Sequence, residues 1–240
     1  MTMLLRSACR VALVLITTLA GSAAAQAADE ARTPCTEDAM IVFDASGSMA
    51  GNMVQGLFSD VTRIDEVRKA LGEVLPGVTK FRKVGLVTYG PGPYLKCNVD
   101  LDFPPTPNAA ERIMTAVNAL NPAGKTPLVA GVEEAAKVLD GQSERGVIVL
   151  LTDGEETCGG APCSLGKTLK ANGRLTVHVV GFQLKNFSWT GAQSMLDVKC
   201  LAEETGGLYI TAENRQDLVQ AFEKTLGCPM MSGLGAGNVN

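Results

Sequence analysis

Two textures alternate along the chain. Residues 39–43 (AMIVF) and 146–151 (GVIVLL) run apolar without interruption, the pattern of strands covered on both faces. Residues 83–90 (KVGLVTYG) and 175–182 (LTVHVVGF) are nearly as continuous and predict two more strands, the first closed by the turn GPGP. Residues 94–101 (YLKCNVDL) predict a paired edge strand, and residues 207–212 (GLYITA) a short sixth strand.

Between these runs the apolar residues recur at helical spacing. Ile64, Val67, Leu71, Val74 and Leu75 form one stripe, and Thr62 with Asp65 supplies a capping-box start. Asn108 opens a predicted helix that reaches Leu120. Thr126 precedes Pro127, which takes the favoured first helical position, and Leu128, Val132, Ala135 and Leu139 make the apolar face. Further helices are predicted from Ser164 and over residues 193–204. Asn214 caps a last one, with Leu218, Phe222 and Leu226 at i, i+4 and i+8. Strands alternating with helices predict an α/β fold. It is doubly wound, a mostly parallel central sheet with one antiparallel edge strand and helices on both faces.

The first 27 residues break the alternation. Arg6 and Arg10 precede a short apolar run, and small residues follow up to an A-x-A signal at residues 25–27. This reads as a signal peptide (1–27) rather than a retained anchor, because the apolar run is short and rich in small residues. The expected organisation continues with a lead-in (28–35), one domain (36–228) and a Gly-rich tail (229–240). The whole chain carries a net charge of −4; without residues 1–27 it has 19 basic and 25 acidic side chains, net −6. That balance excludes a nucleic-acid footprint, which needs a basic face. No stable membrane span is expected after signal cleavage. Six cysteines remain beyond Cys9: Cys35, Cys97, Cys158, Cys163, Cys200 and Cys228. An even number in an exported chain predicts disulfides, with fifteen possible connectivities. With one histidine and no C-x₂-C pair, a zinc site is disfavoured.

The fold tells where to look for chemistry, because ligands of open α/β sheets bind outside the carboxyl ends of the strands. Asp44, Ser46 and Ser48 stand at alternate positions just past the first strand. Asp153 follows the strand at 146–151, and Thr126 lies where the loop NPAGKTP meets a helix. Each alone has a plain reading as a turn residue or cap. Together they offer hard oxygen donors on three loops, which suits Mg²⁺, with Mn²⁺ or Ca²⁺ as alternatives.

Asp44-x-Ser46-x-Ser48, then Thr126, then Asp153-Gly154 resembles the metal-ion-dependent adhesion site (MIDAS) of von Willebrand factor type A (VWA) domains. DASGSM, GKTPL and LLTDGEETCGG are especially similar to exported bacterial members. The resemblance implies that Ser46 and Ser48 coordinate the ion directly. Asp44, Thr126 and Asp153 complete the shell directly or through water, and a carboxylate from a partner protein fills the open position. It also implies a periplasmic or secreted address and a role in adhesion or another protein interaction. The alternatives are a scaffold subunit of an envelope complex with a structural metal and, further off, a metal-dependent hydrolase.

The enzyme readings lack their parts. Asp-x-Ser-x-Ser is not the Asp-x-Asp-x-Thr of haloacid dehalogenase-type phosphatases, and no G-x-S-x-G, H-E-x-x-H or P-loop occurs. His178, inside an apolar strand, reads as a core residue. Glu155 and Glu156 read as solvated groups that tune the site's field. Phe187 and Trp189 read as rim residues that touch a partner or cover a helix.

In related domains a bridge often ties the ends, which implies Cys35–Cys228. The other four cysteines allow two arrangements. Cys158 and Cys163 can close their own ring, leaving Cys97 to reach Cys200. In the family's strand order those two lie on different sides of the sheet. Strands are ~4.8 Å apart, so a three-strand offset exceeds the ~7 Å Cα limit. The resemblance therefore favours Cys97 and Cys200 each bonding one of Cys158 and Cys163.

Overall fold

Six strands of the described residues form one sheet in the order β3-β2-β1-β4-β5-β6. They are β1 (Asp38–Asp44), β2 (Val84–Tyr89), β3 (Val99–Thr106), β4 (Gly146–Thr152), β5 (Leu175–Phe182) and β6 (Tyr209–Ala212). All neighbours run parallel except β3, which is antiparallel to β2. This is a computed structural model; it describes residues 37–51, 61–93, 95–141, 145–184 and 191–227, with side chains in the helix at Gly191 from residue 196 onward. The expected signal peptide, lead-in and tail, with Cys35, Cys228, Phe187 and Trp189, lie outside the described residues.

The helices are α1 (Arg63–Val78), α2 (Ala110–Ala119), α3 (Leu128–Asp140), α4 (Pro162–Asn172), α5 (Gly191–Glu204) and α6 (Arg215–Leu226). Successive strand residues point to opposite faces, so β1 feeds two cores. Ile41 and Phe43 join Val149, Leu151, Val180 and Phe182 under α1, α2 and α6. Met40 and Val42 join Ile148, Leu150, Val177 and Val179 under α3, α4 and α5. That double coverage is why β1 and β4 are buried at every position and lack a polar alternation. α1 starts on the capping box read in the sequence: Thr62 accepts from Asp65 N, and the Asp65 side chain accepts from Thr62 N. Asn214 caps α6 through Asp217 N.

Several boundaries differ from the sequence reading. The edge strand is Val99–Thr106, not residues 94–101. Pro104 and Pro105 sit inside it, which an edge tolerates because one side needs no ladder hydrogen bonds. Asn108 takes a left-handed φ of 53° instead of capping, and α2 starts at Ala110. Pro127 is the residue that caps α3, not its first helical one. α4 begins at Pro162, two residues before Ser164, with proline at its start. α5 begins at Gly191 instead of Gln193.

The chain order reverses at β1. From it one connection leads to β2 and β3, and the rest of the sheet grows the other way through β4. A doubly wound sheet opens its crevice at such a point, here at the carboxyl ends of β1 and β4. Among the described residues no helix is long and apolar enough to cross a membrane.

Candidate metal site at the carboxyl ends of β1 and β4

Asp44 ends β1 and is fully buried. Its two neighbours in the sheet each supply a hydroxyl. Tyr89, its register partner at the end of β2, donates to Asp44 Oδ2 at 2.9 Å, and Thr152 at the end of β4 donates to the same oxygen at 2.9 Å. The backbone N–H of Ser46 donates to Oδ1 at 2.8 Å. Burial raises the proton affinity of the Asp44 carboxyl, and these donors oppose the rise without cancelling it.

A chain of oxygens leads from there to Asp153. Ser46 Oγ and Ser48 Oγ lie 3.0 Å apart, and Ser48 Oγ donates to Asp153 Oδ1 at 2.6 Å. The other carboxylate oxygen, Asp153 Oδ2, is buried and accepts no hydrogen bond. The only cation against it among the described residues is Arg63, whose Nη1 is 3.5 Å away. Burial first, and the charge of Asp44 second, push Asp153 up to about 7; the Ser48 hydrogen bond and Arg63 pull the other way. Two carboxyl groups thus share a dry corner that disfavours their both being charged.

The third loop is brought in by backbone contact. Ser46 forms a parallel bridge with Gly124, and Gly47 N donates to Gly124 O at 3.0 Å. Gly124 N in turn donates to Gly90 O at 2.6 Å. No side chain fits between these loops: a Cβ on Gly124 would stand 2.6 Å from Gly90 O, and one on Gly90 would stand 2.6 Å from Ser46 N. Gly90 also has a φ of +83°, a conformation glycine adopts without strain. Thr126, two residues on, is held by a reciprocal pair. Its N–H donates to Thr157 Oγ1 at 2.8 Å, and Thr157 N donates to Thr126 O at 3.1 Å.

The loop after Asp153 is pinned as well. Glu156 was expected in solvent. Instead its Oε2 accepts from Val129 N at 2.9 Å, in the first turn of α3, and its Oε1 accepts from Cys158 N at 2.6 Å. The negative charge suits a helix start. Glu155 also departs from the solvated reading, with Oε1 buried and unpartnered. Disulfides join Cys97 to Cys158 and Cys163 to Cys200, so the ring Cys158–Cys163 does not form.

The donor set can take a hard divalent cation. It comprises three hydroxyls and two carboxylates, and Asp44, Ser46, Thr126 and Asp153 are 0%, 2%, 6% and 1% exposed. Asp153 Oδ2 is a buried anion oxygen without a donor, and a cation would also relieve the repulsion between the two acids. No three His, Cys, Asp or Glu side chains converge among the described residues, because hydroxyls make up most of this set. Asp44, Ser46, Ser48 and Asp153 form one hydrogen-bonded group, and Thr126 joins it through Gly124. Sequence reasoning did not single out Tyr89, Thr152, Arg63, Gly90, Gly124 or Thr157. Only the glycines carried a local signal, standing in the turn GPGP and in NPAGKTP.

Comparison with known proteins agrees with this architecture. The family profile of the von Willebrand factor type A domain matches residues 39–156. The uncharacterized protein YwmD of Bacillus subtilis is 30% identical over 195 residues, covering 77% of this chain and 82% of its own length. The uncharacterized protein YwmC of the same organism is 28% identical over 210 residues, covering 83% and 86%. Among solved structures, the vWF domain of the type V pili tip protein Mfa5 from Porphyromonas gingivalis superposes with a TM-score of 0.60. It has 15% identity and covers 87% of this chain and 99% of that one.

Proposed function

Because this chain belongs to the von Willebrand factor type A domain family, we propose that it is an exported binding module that captures a carboxylate of a partner protein through a divalent cation held by Asp44, Ser46, Ser48, Thr126 and Asp153. Mg²⁺ is the first choice, with Mn²⁺ or Ca²⁺ as alternatives. The observation that carries the reading is the oxygen chain Ser46–Ser48–Asp153, which ends on a buried carboxylate whose second oxygen, Oδ2, has no hydrogen-bond donor. Further support comes from the pilus-tip protein among the structural neighbours and from two disulfides, which suit an oxidising compartment such as the periplasm or the outside of the cell.

The bound cation would supply a Lewis-acidic centre for an incoming Asp or Glu. The protein's part is to hold its donors ready. Tyr89 and Thr152 fix Asp44, Ser48 fixes Asp153, and the Thr126–Thr157 pair fixes the third loop. Hydroxyls are neutral ligands, so the set leaves positive charge uncancelled for the partner, whereas a cage of carboxylates would not. The reading contains no reaction. His178 lies in mid-sheet opposite Val149, and its Nδ1 accepts from Leu208 N at 2.9 Å.

Crosslinking in the native envelope, followed by pull-down of the partner it captures, tests this. EDTA should release the partner and Mg²⁺ restore it. Ser48→Ala should weaken binding, as should replacing one partner Asp or Glu by its amide. Equal partner binding in EDTA and by Asp44→Ala would overturn the metal role and leave a scaffold subunit as the reading.

A further inference from the structure

We propose that Arg63 is a built-in counter-cation of this site: it neutralises Asp153 when no ion is bound, yields that carboxylate to an arriving divalent cation, and thereby sets how weakly the ion is held. The inference rests on the metal-site reading above and adds to it a residue outside the five-residue motif.

Arg63 is the first residue of α1, directly after the capping Thr62. Helix energetics do not favour a cation there, since the amino end of a helix carries partial positive charge. The same turn otherwise follows the rule, with Asp65 and Glu66. What the arginine gains comes from outside the helix. Nη1 donates to Ser48 O at 2.9 Å, and Nε donates to Gln183 Oε1 at 3.2 Å. The third contact is the ion pair to Asp153 Oδ2 at 3.5 Å, beyond good hydrogen-bond length. The arginine side chain is 20% exposed and the carboxylate 0%.

The guanidinium has room at Gly51, and one of its two acceptors is itself held in place. A Cβ on Gly51 would lie 2.6 Å from Arg63 Nη1. Gln183 stands at the end of β5 with a φ of 53°, left-handed for a residue that is not glycine. It is held by Ala212 O, which accepts from its N–H at 2.8 Å, and by Glu213 O, which accepts from its Nε2 at 3.2 Å. The guanidinium is therefore secured by two neutral acceptors. It can surrender the longer contact to Asp153 without leaving its place.

Charge decides the direction of the effect. Asp44 and Asp153 together can carry two negative charges, and Arg63 offsets one of them. A divalent cation offsets both, and the arginine then stands as a surplus positive charge beside it. Repulsion across such a short distance in a partly dry site lowers the affinity for the ion. It also leaves more positive potential for the partner's carboxylate.

The test is titration of the full chain with MgCl₂ by calorimetry at fixed ionic strength. Arg63→Gln, which removes the charge but keeps a donor, should bind Mg²⁺ at least about tenfold more tightly. Arg63→Lys, which keeps the charge, should stay within about threefold of wild type. A role as a mere clip for Ser48 predicts instead that both substitutions weaken binding or change nothing, and either result overturns the proposal. If Arg63→Gln does not fold, Arg63→Met, which removes the charge and keeps the aliphatic stem, should also tighten Mg²⁺ binding; unchanged or weaker binding overturns it. A wild-type chain that binds no Mg²⁺ overturns the metal-site reading together with this one. A wild-type chain that binds Mg²⁺ as tightly as Arg63→Gln overturns this one alone.

Discussion

Tyr89 and Asp44 face each other as register partners on β2 and β1, and the tyrosine hydroxyl donates to the carboxylate at 2.9 Å inside a fully buried corner. One strand pairing therefore aims the residue at the head of the Asp44–Ser48 turn. Tyr89→Phe keeps the ring and deletes the donor, while Thr152 still donates to Asp44. Urea unfolding in EDTA should show a loss of about 1–2 kcal/mol, with the fold retained.

Asp153 gives a prediction that changes sign with the ion. Without metal, its charge is opposed by burial and by Asp44, which is why its pKa rises to about 7. Asp153→Asn should then leave the protein as stable as wild type or more so in EDTA at pH 8. In millimolar Mg²⁺ the order should reverse, because wild type gains stability by binding and the variant gains little. Thermal melts of both proteins in both buffers check this; parallel shifts would count against Asp153 as a ligand.

The bond Cys97–Cys158 closes a stretch with a sequence separation of 61 residues. Replacing both cysteines by serine should cost about 4 kcal/mol on the chain-entropy estimate. It should also free the loop that carries Thr157, the backbone partner of Thr126. Peptide mapping under non-reducing conditions should recover Cys97 linked to Cys158 and Cys163 linked to Cys200; a Cys158–Cys163 peptide would refute the arrangement.

His178 predicts an acid-sensitive step. Burial, and secondarily the charge of Arg82, lower its pKa from 6.5 to about 4, and its Nδ1 is committed to Leu208 N. Between those values the unfolded chain binds a proton that the folded chain does not. The histidine therefore costs nothing above pH 6.5, and stability falls as pH drops toward 4, by on the order of 2 kcal/mol at pH 4.5. His178→Gln should flatten that part of the curve. Denaturant midpoints from pH 7.5 to 4.5, wild type against variant, measure the difference.

What was legible in the sequence was local. The doubly covered strands showed because both faces of β1 and β4 are buried, and the capping box of α1 and the Asn214 cap because a cap needs only neighbouring residues. Asp44, Ser46 and Ser48 showed because one turn presents all three. The residues that place them did not show. Tyr89 and Thr152 reach Asp44 through strand register, and Arg63 reaches Asp153 from another element 90 positions away. The edge strand begins later than the pattern over residues 94–101 suggests: Leu95 is exposed, and the described residues 95–98 lie outside any strand. Glu156 looked like any charged loop residue, since nothing nearby in sequence announces that the start of α3 lies beside it.

The two disulfides have a mechanical meaning. Cys158 lies five residues beyond Asp153, and Cys163 lies in the first turn of α4. One bond carries the loop to the chain leading into β3, and the other carries α4 to α5. Tension applied at that loop is thus shared between both flanks of the sheet through covalent links, instead of peeling the loop away one hydrogen bond at a time.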